Sequence, residues 1–215
     1  MQDTPPLPGT ELARLAGVSA SVVRGLFESG ALQKTALQPS LTRTRPDPNF
    51  ARLKLTPDQE GVATALADAV AQKDFGVHVL DGVTGSGKTE VYFEAIARAL
   101  EACRPALILL PEISLTAQFL ARFERRFGCA PALWHSGLTL ADRRRTWRAV
   151  AESRVQVLVG ARSALFLPWS DLGVIIVDEE HDGGFKQEDG VVYNARDMAI
   201  VLSLIHISEP TRPID

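Results

Sequence analysis

Cysteine is scarce in this chain, with only Cys103 and Cys129 among 215 residues. The two stand outside any Cys-x-x-Cys pair and are too few for a disulfide framework, so we expect both to be small buried residues. No apolar run approaches the ~18 residues that a membrane span requires. The first residues also lack the basic-then-apolar order of a signal peptide, and we therefore expect a cytoplasmic protein without membrane contact.

Neither sign of charge dominates, because 23 Lys and Arg stand against 26 Asp and Glu. The charged share of 23% and the hydrophobic share of 46% exclude a disordered chain, a collagen-like chain and a coiled coil. The charges are unevenly spread: residues 121–165 carry nine basic and three acidic residues, and residues 166–190 carry seven acidic residues against one lysine. This pattern is typical of a protein that holds a polyanion near a metal, although a solvated arginine face would explain residues 143–145 equally well.

Residues 1–45 read as short helices with glycines at their ends. A helical run from Glu11 stops at Gly17, and a second from Ser21 stops at Gly30. Helix, glycine turn and helix indicate a helix-turn-helix, here part of a winged helix that contacts DNA or serves as a spacer or protein contact. Residues 46–54 are polar and proline-bearing, which predicts a linker. Residues 203–215 contain two prolines and no helical stripe, so we expect a disordered or poorly packed tail.

Residues 55–202 alternate between helical and strand patterns. We predict an α/β fold, with a parallel sheet covered by helices on both faces, because strands that alternate with helices form parallel sheets. In such sheets ligands bind at the carboxyl ends of the strands. The predicted strands are 77–80, 106–110, 131–134, 155–159 and 174–177, and the predicted helices include 57–73, one that follows the glycine loop to 102, and 141–151.

A glycine-rich loop follows the first predicted strand and opens a helix. Its sequence, Gly-Val-Thr-Gly-Ser-Gly-Lys-Thr, matches the P-loop pattern at every fixed position. The glycines let backbone N–H groups wrap a phosphate, the lysine reaches the outer phosphates, and the threonine hydroxyl ligates Mg²⁺. We therefore predict ATP and Mg²⁺ as cofactors, with contacts from Gly82, Thr84, Gly85, Ser86, Gly87, Lys88 and Thr89.

Four ionisable residues, Asp-Glu-Glu-His, come directly after the apolar strand 174–177. Asp178 is placed to hold Mg²⁺, and Glu179 to orient or deprotonate the attacking water. The Asp-Glu-x-His order, together with the P-loop, indicates the helicase branch of the P-loop proteins. Upstream, Gln59 stands at the start of the predicted helix 57–73, where its amide can read adenine as donor and acceptor together.

Two further segments are candidates for nucleic-acid contact. Arg162 and Ser163 follow a predicted strand, where they could meet a nucleic-acid backbone, although the arginine could instead form a structural salt bridge. The loop 185–197 mixes aromatic, basic and polar side chains. Phe185 and Tyr193 could stack on bases while Lys186 and Arg196 meet phosphates, or the two aromatics could be buried and pin a surface loop.

Taken together, these residues resemble the bacterial primosomal replication-restart helicases, a DExH branch of superfamily 2. The similar segments are residues 81–92, 110–115, 134–137, 160–166, 178–181 and 193–197, and the resemblance covers residues 55–201. It implies a RecA-like ATPase lobe that moves 3′ to 5′ on single-stranded DNA at abandoned forks. It also implies single-stranded-DNA-binding and primosome proteins as partners, and a link between the loop 185–197 and ATP hydrolysis.

The sequence also departs from that family. We find no DNA-end-binding domain, no Ser-Ala-Thr motif after the acidic strand, no second RecA-like lobe with its arginine finger, and no zinc-binding cysteine clusters. We therefore expect an incomplete enzyme that binds nucleotide weakly and barely hydrolyses it. The alternatives are another DExH translocase, such as a RecG-like fork remodeller or an RNA helicase, and a non-catalytic module that binds DNA or recruits a partner.

Overall fold

The computed structural model describes residues 12–13, 16–32, 45–83, 85–188 and 190–208, without the side chains of residues 113 and 206–208. The chain divides into two compact units, residues 1–43 and 44–215. In the first unit, helix α1 (Ala20–Glu28) lies between glycines with positive φ, Gly17 and Gly30. These are the two positions at which the sequence predicts helix ends. No helix in the described ranges is long and apolar enough to cross a membrane.

The second unit is an α/β domain, as the sequence predicts. Three short 3₁₀ turns, at Glu112–Ser114, Arg162–Phe166 and Gly183–Phe185, each follow one of its strands. The helices and strands of this unit are α2 (Pro57–Gln72), α3 (Lys88–Glu101), β1 (Ala106–Leu109), α4 (Ala117–Phe127), β2 (Ala132–Trp134), α5 (Leu140–Ala151), β3 (Val157–Gly160), β4 (Val174–Val177), β5 (Lys186–Gln187), β6 (Tyr193–Asn194) and α6 (Ala195–Ser208).

The main sheet has four strands in the order β2-β3-β1-β4, and every pair is parallel. Ala106 lies opposite Val157 on one side and Val174 on the other. Because the strands are parallel and in register, their carboxyl ends meet at one edge. This confirms the predicted parallel sheet and brings the segments that follow β1, β3 and β4 together.

Helices α3 and α4 cover one face of this sheet with a phenylalanine cluster. The Phe93 ring lies 5.7 Å from Phe123 and 5.5 Å from Phe127, in edge-to-face geometry. Ile108 and Val159 meet this cluster from the sheet. Leu107 and Leu158, which alternate with them and point the other way, are also fully buried. Both faces of the central strands are therefore covered, and α3 is held firmly above the strand ends.

The predicted strand 77–80 does not form. Residues 74–83 have no regular structure, and Val79 is 88% exposed. Within the described residues β4 is the edge of the sheet, and no strand lies beyond it. Because residues 77–80 make no ladder hydrogen bonds to β4, nothing offsets the entropy of ordering them as a strand.

Two further expectations are wrong in part. Cys103 is exposed, in a left-handed conformation (φ 58°) at the turn after α3, while Cys129 is buried as predicted. Residues 203–208 continue α6 and are helical, so the tail is not unstructured from residue 203 onward. Leu204 and Ile205 are nevertheless about half exposed. Residues 209–215 lie outside the described residues.

Candidate nucleotide site and nucleic-acid edge

At two glycines of the loop, an added side chain would force a neighbouring side chain to shift. Gly87 is the N-cap of α3 with φ 83°, and a Cβ there would lie 2.4 Å from Gln59 Nε2. A Cβ at Gly82 would lie 2.7 Å from Ser86 Oγ. The loop leads into the amino-terminal end of α3, where free N–H groups favour an anion. This geometry fits a phosphate cradle; Thr84 lies outside the described residues.

Gln59 connects helix α2 to this loop. Its Oε1 accepts a hydrogen bond from the Thr56 N–H at 2.9 Å, and its own N–H donates to Thr56 Oγ1 at 3.3 Å, which is a capping box. Its Nε2 donates to the Ser86 carbonyl at 2.8 Å. The Gln59 side chain keeps one N–H and one oxygen lone pair that could bind adenine. The contact with adenine stays a prediction, and this position is compatible with it.

Lys88, the first residue of α3, folds back over the loop. Its Nζ donates to the Gly82 carbonyl at 2.5 Å. The amine therefore lies directly over the backbone that the glycines expose. An ammonium group held there can bind an anion cradled by the same loop.

The carboxylate of Asp178 meets the P-loop helix through a buried tyrosine. The strand β4 carries Asp178 to the sheet edge, where its N–H donates to the Leu109 carbonyl at 3.1 Å. Tyr92 of α3 donates its hydroxyl to Asp178 Oδ2 at 2.9 Å. Burial, followed by the negative charge of Asp178, raises the pKa of Tyr92. The Tyr92 hydroxyl thus joins the helix that carries Thr89 to the strand end that carries Asp178.

Glu179 sits in a left-handed backbone conformation, with φ 52°. Its N–H donates to Asp178 Oδ1 at 3.0 Å, and its carboxylate lies 3.6 Å from His181 Nε2. The side chain is half exposed and lines the same cavity as Asp178. This position suits a carboxylate that orients water beside a bound phosphate.

A cavity of about 800 Å³ opens between residues 76–83 and β4. Gly82, Lys88, Tyr92, Asp178 and Glu179 all line it, so the P-loop and the acidic strand end share one space. Among the described residues, no three His, Cys, Asp or Glu side chains converge to hold a metal by themselves. Mg²⁺ suits this arrangement, since it is usually bound by one or two protein oxygens together with nucleotide phosphates.

Arg162 and Ser163 are both engaged within the protein. Arg162 Nη1 donates to the Gly184 carbonyl at 3.2 Å and also to the Lys186 carbonyl. Ser163 Oγ accepts a hydrogen bond from Trp134 Nε1 at 3.1 Å. The Arg162 contacts join the end of β3 to the loop after β4, and the Ser163 contact joins it to β2. Direct contact with DNA by either side chain stays a prediction.

The interpretation of Phe185 as a stacking surface is wrong for this structure, because its side chain is 1% exposed. Tyr193 is partly buried and packs edge-on against Phe166, at 5.3 Å between ring centroids. Phe166 is 57% exposed and was missed in the sequence. Its position three residues after Ser163 is the signal that could have identified it. Lys186 is exposed, as a phosphate contact requires.

Arg196 is paired with acidic side chains. Its guanidinium donates to Glu180 Oε2 at 3.0 Å and to Asp197 Oδ1 at 3.1 Å. The first bond joins the predicted nucleic-acid loop to the acidic segment 178–181. A phosphate at Arg196 would therefore compete with Glu180.

Two other contacts at this edge escaped the sequence analysis. Glu112, after β1, accepts hydrogen bonds from the Ser136 N–H at 3.2 Å and the Ser136 hydroxyl at 2.8 Å. Arg143 of α5 donates to the carbonyls of His135 and Ser136. The Glu112 contacts tie the end of β1 to the end of β2, and the Arg143 contacts tie α5 to the same segment. Ser136 lies 24 residues from Glu112, too far for a local pattern to reveal that contact.

Comparison with known proteins agrees with this geometry. Residues 56–204 match the family model of the DEAD/DEAH box helicases. The replication restart protein PriA of Bacillus subtilis (strain 168) is 37% identical over 197 residues, which are 90% of this chain and 24% of that protein. The PriA proteins of Rickettsia conorii and Chlamydia pneumoniae are 44% and 39% identical, over 71% and 90% of this chain and 23% and 26% of their own lengths.

The chain thus spans about a quarter of the length of these curated relatives. The resemblance to replication-restart helicases that the motifs indicate is confirmed by these similarities. The matched family model covers well over half of the chain and includes the P-loop, Asp178 and Glu179. The chain therefore belongs to the DEAD/DEAH box helicase family.

Proposed function

We propose that this chain is the nucleotide-binding lobe of an ATP-dependent DNA helicase that moves 3′ to 5′ and acts in the restart of replication. The observation that carries the proposal is the hydrogen bond from Tyr92 of the P-loop helix to Asp178 of the acidic strand end. This contact brings the phosphate loop and the acidic strand end into one site. Similarity to proteins named for replication restart supports the biological setting.

Each part of the site has a role in this proposal. Lys88 binds the outer phosphates of ATP, Thr89 and Asp178 bind Mg²⁺, and Gln59 contacts adenine. Glu179 orients the attacking water and accepts its proton. Bound Mg²⁺ supplies a positive charge that polarises the phosphate oxygens. The protein's own contribution is to hold these side chains around the cavity described above.

Single-stranded or forked DNA crosses the edge of the sheet in this proposal. The exposed Phe166 and the partly buried Tyr193 supply stacking surfaces, and Lys186 supplies a charge for phosphate. Arg162 and Arg196 hold the loop through their internal contacts and transmit its position to the acidic segment. Primosome proteins and single-stranded-DNA-binding proteins are the partners we propose from the names of the relatives.

Nucleotide binding by the 215-residue chain tests the first part. We expect Lys88→Ala to weaken ADP binding by at least about tenfold, because a charge-assisted contact with phosphate is worth roughly 1.5–3 kcal/mol. Lys54→Ala removes an exposed lysine outside the cavity and leaves the affinity unchanged. Calorimetric titration measures both. Equal affinity for wild type and Lys88→Ala would contradict a P-loop nucleotide site.

Turnover tests the second part. An arginine supplied by a second lobe contributes ~10³–10⁵ in rate in P-loop enzymes, so we expect this chain alone to hydrolyse ATP only marginally, with or without DNA. DNA-stimulated hydrolysis by this chain at the rate of a two-lobed helicase would overturn the two-lobe account. Stronger stimulation by RNA than by DNA, measured in a longer protein that contains both lobes, would favour an RNA helicase.

A further inference from the structure

Tyr92 places a hydroxyl group at the junction of the two halves of the nucleotide site. It lies three residues after Thr89 on α3, so the two side chains share one side of the helix. The residue is 4% exposed, and its ring packs edge-on against Phe93 at 5.4 Å. A phenylalanine would supply the same ring packing. The hydroxyl is therefore explained by what it contacts, which is the carboxylate of Asp178.

The Asp178 carboxylate is held by one donor on each oxygen. Oδ2 accepts the Tyr92 hydroxyl at 2.9 Å, and Oδ1 accepts the Glu179 N–H at 3.0 Å. The two donors belong to different parts of the fold, helix α3 and the turn after β4, so together they restrict rotation of the carboxylate. Each carboxylate oxygen can accept two hydrogen bonds, which leaves one lone pair on each for a metal ion or its water.

We propose that Tyr92 is a positioning residue of the magnesium site, whose hydroxyl orients Asp178 so that Asp178 and Thr89 share one cation with the nucleotide phosphates. This inference rests on the proposed function, because it assumes that the site binds a magnesium nucleotide. Partners that orient a metal ligand commonly change metal affinity by 10–100-fold when they are removed.

A purely structural hydroxyl would stabilise the fold without affecting the metal. The two roles are separated by the Mg²⁺ dependence of nucleotide binding, which a general loss of stability does not change selectively. Tyr92→Phe keeps the ring and removes only the hydroxyl. Thr146→Val is a matched control, because it removes a hydroxyl from another buried residue, on α5 and outside the cavity.

The experiment measures ADP binding to the 215-residue chain in EDTA and then across a Mg²⁺ titration at fixed ADP. We expect Tyr92→Phe to raise the Mg²⁺ concentration at half-saturation by about tenfold or more. Its ADP affinity in EDTA should stay close to that of wild type, and Thr146→Val should match wild type in both. Loss of ADP affinity to the same extent in EDTA and in Mg²⁺ would overturn the proposal.

A second variant tests the route through Asp178. In an Asp178→Asn background, whose Mg²⁺ dependence is already impaired, Tyr92→Phe should add little, because the two residues act on the same cation. A full additional effect of Tyr92→Phe in that background would overturn the proposal and leave the nucleotide site intact. Failure of wild type to bind ADP at all would instead overturn the proposed function, and the role of Tyr92 with it.

Discussion

Most arginines between residues 121 and 165 bind other parts of this chain. The basic surface expected from composition is consequently reduced, within the described residues, to Arg125, Arg144 and Arg148, which are exposed and outside any ion pair. A sequence cannot show the pairs of Arg122 and Arg126, because their partners are 32 residues away. Arg122, Arg126, Arg145 and Arg154 pair with Glu90, Glu94, Asp142 and Glu152, while Arg143 and Arg162 donate to backbone carbonyls.

Arg126 is the most buried of these side chains, at 1% exposed. It donates to Glu94 Oε1 from both Nε and Nη2, and to the Pro48 carbonyl, which joins α4 to α3 and to the segment before α2. We expect Arg126→Ala to lower the free energy of unfolding by about 3–5 kcal/mol, since it leaves the Glu94 carboxylate without its partner. Urea denaturation measures the loss. The adjacent Arg125→Ala, on the exposed side of α4, should change stability by less than about 0.5 kcal/mol.

The P-loop glycines differ in what a side chain would meet. Gly85 and Gly87 both have φ near 82°, but a Cβ at Gly85 has open space, whereas one at Gly87 would collide with the Gln59 amide. We expect Gly85→Ala to cost about 1–2 kcal/mol, from backbone strain alone. Gly87→Ala should cost more, because it also breaks the bond from Gln59 to Ser86. Equal losses in urea denaturation would show that the collision is relieved without effect.

At the level of elements, the sequence predicts most of the fold because apolar runs and helical stripes are local. Strand β4 has the predicted bounds, and helix α5 starts only one residue before the predicted helix 141–151 and ends with it. The prediction of a strand at residues 77–80 is wrong because strand pairing depends on the segment that lies beside the strand in space, which a local sequence pattern does not show. Residues 203–208 are helical as a continuation of α6, although the family resemblance covers only residues 55–201.

The candidate site divides in the same way. The P-loop and the acidic strand end were predictable, because each is a contiguous motif with its own chemistry. Tyr92 was not, since its partner Asp178 is 86 residues away. Phe185 shows the opposite error, because an aromatic residue in a loop can equally be buried or exposed, and here it is buried.

The exposure of Val79 gives a test of the irregular segment. We expect Val79→Ala to change the free energy of unfolding by less than about 0.5 kcal/mol, as for other exposed sites. Ile108→Ala, in the fully buried strand β1, should cost about 2–5 kcal/mol. Both values come from urea denaturation of the same chain. A loss above 2 kcal/mol for Val79→Ala would mean that residues 77–80 form a buried strand in solution.

For the molecule as a whole, the open edge of β4 lies beside exposed valines. Unpaired edges with apolar neighbours promote association between chains. We expect this chain to self-associate with rising concentration in sedimentation experiments, and the double variant Val77→Lys, Val79→Lys to do so less. The control is the double variant Val191→Lys, Val192→Lys, which alters two other exposed valines that do not line the nucleotide cavity. It should associate like wild type. Equal behaviour of all three proteins would contradict association through β4.

At Glu179, the left-handed backbone conformation lowers stability, whereas the carboxylate contributes to the proposed activity. An L-residue at this φ costs roughly 1–2 kcal/mol, part of which glycine would recover. Glu179→Gly should therefore raise the free energy of unfolding by up to about 1 kcal/mol, measured by urea denaturation. Glu179→Ala should not raise it. On the proposed function, a longer protein that contains both lobes should lose ATP turnover with either change. Selection for stability alone would thus replace this glutamate by glycine. A glutamate held in this strained conformation therefore indicates that its carboxylate has a function.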